Sequence, residues 1–98
     1  MIIYRSMSKQ ERDLTLEDNH FSFIKKYKWF SFNLDWIKSR VQDGKFNNSK
    51  FKPERYTHLL KFDIEDEYIK QFSKKGKKEL ELHKWKSNFP IKSIEEII

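Results

Sequence analysis

The chain has 98 residues, no cysteine and a formal net charge of +6. That length suits one domain, residues 1–98, and the missing cysteine removes disulfides and thiolate metal sites. Lys or Arg interrupts nearly every window, so no apolar run approaches a membrane helix or a signal-peptide core, and a soluble, cytoplasmic protein without a membrane span is expected.

Charged residues make up 37% of the chain, but aromatic residues make up 16%, which separates it from disordered sequences of similar charge and supplies a core with few side chains. The opening "MIIYR" has strand composition and ends on Arg5. Ser8 and Glu11 in "SKQE" have capping-box spacing, hydroxyl forward and carboxylate back, and predict a short helix from 9 to 17. "EDNH" breaks that pattern, and "FSFIKKYKWFSF" returns to strand material with a bend among the lysines.

Asn33 can cap a second helix over 34 to 43, because Leu34, Ile37 and Val41 recur on one face and Gly44 follows as the C-terminal residue. Gly44 and Gly76 are the two glycines, too far apart for a P-loop or a dinucleotide Gly-x-Gly-x-x-Gly motif. Residues 45 to 55 read as an exposed loop suited to partner specificity. "YTHLLKFDI" predicts a strand, "EDEYIKQFSKKGK" a short turn or helix, "KELELH" another strand, and "IKSIEEII" a last strand or a stub of helix. The sum is an α+β fold, a small mixed or antiparallel sheet with two short helices.

"KKELELH" aligns two carboxylates: strand alternation puts Glu79 and Glu81 on one face and Leu80 and Leu82 on the other, toward the core. Arg5 at a strand end, Ser31 before a helix cap and this Glu-x-Glu pair follow one another along the chain. That order resembles the catalytic signature of ADP-ribosyltransferases of the Arg-Ser-Glu type. "IYRSMSKQE", "KWFSFN", "THLLKFDI" and "KKELELH" resemble the successive elements of their fold across nearly the whole chain. Of the Ser-Thr-Ser motif common in that family, "Phe-Ser-Phe" keeps the central Ser31.

The resemblance implies NAD as the cofactor and transfer of ADP-ribose to a macromolecule. Glu81 would stabilise the oxocarbenium-like transition state through the ribose, with Glu79 orienting the acceptor or, if the motif is shifted, itself the key carboxylate. Arg5 would offer its planar fork to phosphate and ribose oxygens. Ser31 would fix the nicotinamide ribose, with Tyr27, Trp29 or Phe30 stacking on a flat ring. Each residue also has a plainer role: Arg5 in a buried ion pair, Ser31 in a turn, Glu79 and Glu81 on a wet strand face beside lysines.

A rival reading is nucleic-acid binding. The charge attracts acidic macromolecules, and "FIKKYKWFSF" interleaves aromatics with Lys25, Lys26 and Lys28. "KKGKK" would contact phosphates through Lys74, Lys75, Lys77 and Lys78. A third reading is a stoichiometric interaction protein, such as a phage or mobile-element inhibitor acting on a host protein target. No metal site is expected, since His20, His58 and His83 share no ligand spacing, and no nucleophile elbow is present.

Overall fold

The computed structural model describes residues 1–42 and 56–98. The expected Gly44 cap and the 45–55 loop lie outside the described residues. Strand β1 (Ile2–Met7) leads into helix α1 (Lys9–Asp18), and β2 (Tyr27–Ser31) into α2 (Leu34–Gln42). β3 (His58–Asp63), a 3-10 helix (Asp66–Gln71), β4 (Phe72–Lys75), β5 (Glu79–His83), a second 3-10 turn (Lys84–Lys86) and β6 (Ser93–Glu96) follow. The architecture is α+β: among the described residues six strands form one sheet in the order β4-β5-β2-β1-β3-β6, antiparallel throughout. Among the described residues no helix is long and apolar enough to cross a membrane.

Alternation along the strands decides the two faces. One face gathers Ile3, Met7, Phe30, Leu60, Phe62, Leu80 and Leu82 into the main core, closed by Phe72, Phe89 and Ile91. Aromatic edges knit it together, with Phe21 in T-shaped contact with Phe30 and Phe62 at ring-centroid distances of 5.1 and 5.0 Å. On the other face α2 lays Ile37 and Val41, four residues apart, against Leu59 of β3. Tyr4, Leu34 and Trp36 flank that smaller cluster.

The Ser8 hydroxyl caps α1 by accepting from the Glu11 N–H at 3.3 Å. The Glu11 carboxylate departs from the expected capping box: it turns to Arg5 and Lys28. Asn19 ends the helix in the left-handed region with φ 55°. Within "EDEYIKQFSKKGK", read as one turn or helix, the sheet gains its edge strand β4, which buries Phe72 and exposes Ser73, Lys74 and Lys75.

Candidate functional site

The site begins where two strands part. β2 pairs along its whole length with β5, from Tyr27–His83 to Ser31–Glu79, yet meets β1 in register at the one pair Tyr4–Ser31. Past that pair β1 and β2 diverge, and a cleft of about 430 Å³ opens between them. Arg5 and Ser6 border it from β1, Trp29 and Ser31 from β2, Trp36 from α2 and Glu79 from β5. The carbonyl of Trp29, which a continuous ladder would pair with a backbone donor, accepts a bond from Arg5 Nη1 at 3.0 Å.

A buried charge cluster holds Arg5 in this split. Glu11 grips it with both oxygens, Oε2 to Nε at 2.6 Å and Oε1 to Nη2 at 2.8 Å, and Lys28 Nζ stands 2.9 Å from the same Oε2. The side chains of Arg5, Glu11 and Lys28 are 12%, 8% and 3% exposed. Burial works to raise the Glu11 pKa, but the bond to Arg5, its charge and that of Lys28 outweigh it and hold the carboxyl below its ordinary value. Burial, then the charge of Arg5, pushes the Lys28 pKa down to about 8, with Glu11 opposing.

Two expectations change here. Lys28, read as a phosphate contact, is buried in an ion pair with its ammonium 5.1 Å from the Phe23 ring centre. Arg5 is no open fork: among the described residues Glu11 and Trp29 engage three of its donors, leaving two of the guanidinium's five N–H groups.

Ser31 sits buried at the head of a short relay. Its Oγ accepts from the Asn33 N–H at 3.0 Å, and Asn33 Oδ1 accepts from the Trp36 N–H at 2.9 Å. The serine turn and the helix cap together set α2 so that Trp36 and Ile37 reach the cleft. Directly across from Ser31 stands Glu79. Glu81 shares the face of Glu79, as alternation requires, but lies opposite Trp29, with Lys75 Nζ 3.9 Å from its Oε1, and it is not among the cleft-lining residues. Leu80 and Leu82 are buried in the core.

All three expected rings, Tyr27, Trp29 and Phe30, line the cleft. Phe30 does so from the core, where it makes edge contacts with Phe21, Phe62 and Phe72. Tyr27 and Trp29, on the alternate positions, face the cleft side and remain exposed, and Trp36 and Tyr56 complete the wall. Cations surround it: Lys25 and Lys26 border the opening, and Arg40 and Lys78 stand 4.7 and 5.7 Å from the Trp36 ring centre. Lys74, Lys75 and Lys77 are exposed in and after β4.

Sequence reading missed Glu11 and Trp36 as parts of the site. Glu11 looked like a cap residue, and only the return of α1 across the sheet brings it to Arg5. Trp36 was legible in principle, at the third position after a helix-capping Asn. Comparison with protein-family models, with curated proteins and with solved structures gave no match, so the cleft's meaning rests on its own geometry.

Proposed function

We propose that the cleft binds NAD and that the chain is an ADP-ribosyltransferase-like protein passing ADP-ribose to a protein or nucleic-acid acceptor. The observation that carries this reading is that Arg5, Ser31 and Glu79, on three neighbouring strands and in their order along the chain, border one cleft, Arg5 reaching it from the core side through the split and Ser31 and Glu79 from the opposite face. The volume lies within the ~300–1,000 Å³ usual for small-molecule sites, and its make-up suits a dinucleotide. Trp29 and Trp36 offer flat walls to aromatic rings, while Lys25 and Lys26 offer charge to a pyrophosphate at the mouth.

Bound NAD supplies a glycosidic bond to nicotinamide whose cleavage builds positive charge on a ribose carbon. In this reading Glu79, the cross-strand partner of Ser31, stabilises that charge through the ribose. Arg5, fixed by Glu11, presents its two remaining N–H groups to ribose or phosphate oxygens without reorganising. Ser31 orders the turn that carries Trp36, and Glu81 is left an outer role toward the acceptor.

Nicotinamide release tests the assignment. Glu79→Gln is expected to lower the rate on the order of 100-fold, with NAD binding retained and Glu81→Gln losing less than about tenfold. Full release by Glu79→Gln would overturn the role of Glu79, and absence of NAD binding at millimolar concentration would overturn the reading itself.

A further inference from the structure

From the cleft wall outward, the sheet face carries exposed rings of which the nucleotide reading uses Trp29 alone. Tyr27 and His83 are cross-strand partners with ring centroids 4.3 Å apart, edge to face, and His83 meets Trp85 in the same way at 5.1 Å. Trp85 is 70% exposed, Trp29 45% and Tyr27 40%, although the core takes in Phe30, Phe62, Phe72 and Phe89. Large rings linked edge to face along one face form a continuous aromatic surface, and leaving them in water forgoes the stabilisation of burial.

Cations attend the rings. Lys86 Nζ lies 5.6 Å from the Trp85 ring centre, and Lys26 Nζ 5.6 Å from that of Tyr27. The Lys84 N–H donates to the Lys26 carbonyl at 2.9 Å, so the segment before β2 and the turn after β5 are fastened and their lysines share one end of the sheet. Burial first, then the charges of Lys26 and Lys86, lowers the His83 pKa. Its buried Nδ1 has no hydrogen-bond partner among the described residues.

We propose that this face binds single-stranded nucleic acid, with bases stacking on Trp85 and Tyr27 and phosphates meeting Lys26, Lys84 and Lys86. Interleaved rings and cations are the arrangement a single strand needs, since every base has a stackable face and every link a negative charge. Rigid duplex DNA keeps its bases stacked on each other and would leave the rings idle. A bilayer fits less well, because Ser73 and Glu81 stand on the same face and would be drawn into the headgroup boundary. An acidic peptide would use the lysines but not the rings. The proposal shares Lys26 with the mouth of the cleft but does not depend on NAD occupying it.

The test is anisotropy of a labelled single strand of about 12 nucleotides, within the ~4–16 nucleotide range of such sites, without NAD. The full chain is expected to bind it more tightly than the duplex of the same sequence, poly-glutamate or anionic vesicles. Trp85→Ala should weaken binding at least about fivefold with the circular dichroism spectrum unchanged, since the ring lies outside the core. Lys86→Gln should flatten the dependence of log K on log salt by about 0.7. Duplex, poly-glutamate or vesicle binding that equals or exceeds that of the single strand would overturn the proposal, as would no binding at low salt or unchanged affinity in Trp85→Ala.

Discussion

At Glu11 one carboxylate answers two buried cations, and removing its charge leaves Arg5 and Lys28 facing each other without it. Glu11→Gln is therefore expected to cost about 3–5 kcal/mol, measured by urea denaturation, against a fraction of that for an exposed carboxylate such as Glu95. Lys28 adds a dependence on pH. Folded, it releases its proton near about 8; unfolded, it holds it to the ordinary 10.5. Between those values the unfolded chain binds more protons, so this group's contribution to stability rises with pH across that window. Denaturation from pH 7 to 10 should show the wild type gaining on the order of 2 kcal/mol relative to Lys28→Met, and parallel curves would contradict the burial argument. Glu11 acts on the acid side: its lowered pKa contributes stability present above its unfolded value and lost as pH falls through the folded one.

Among elements, α2 couples local sequence to the cleft most directly. Asn33→Ala removes the cap that orients Trp36 and should cost about 1 kcal/mol in stability, with a larger proportional loss in NAD affinity than in fold. The β4–β5 hairpin turns at Gly76, whose φ of 80° suits glycine although a Cβ there would meet nothing within 4 Å. Gly76→Ala should destabilise by roughly 1 kcal/mol, visible as a lower thermal midpoint, through backbone strain alone. Strong local signals made the main elements legible: the Ser8 cap for α1, the apolar spacing of Leu34, Ile37 and Val41 for α2, and the Glu-Leu-Glu-Leu alternation for β5. β4 was not legible, because it buries one side chain, Phe72, and its remaining polar residues look the same in a turn as on a sheet edge. The order Arg5, Ser31, Glu79 could be read from the chain. Which glutamate lines the cleft could not, since it depends on the register of β5 against β2.

Across the whole molecule, charge and aromatic surface are divided by the sheet. The core face takes Phe30, Phe62, Phe72 and Phe89, while the other face keeps Trp29 and Tyr27 in view from the cleft toward Trp85 in the turn after β5. Edge strands β4 and β6 carry Lys74, Lys75, Glu95 and Glu96, charges that discourage strand addition at either end. The three tryptophans report on this division: Trp29 and Trp36 at the cleft, Trp85 beyond it. A two-dimensional NMR titration with NAD, following their indole N–H signals, tests the central claim most directly. Shifts of Trp29 and Trp36 that saturate at millimolar NAD or below, with Trp85 unmoved, are the expected result. Three unmoved indoles, or a shift confined to Trp85, would contradict it.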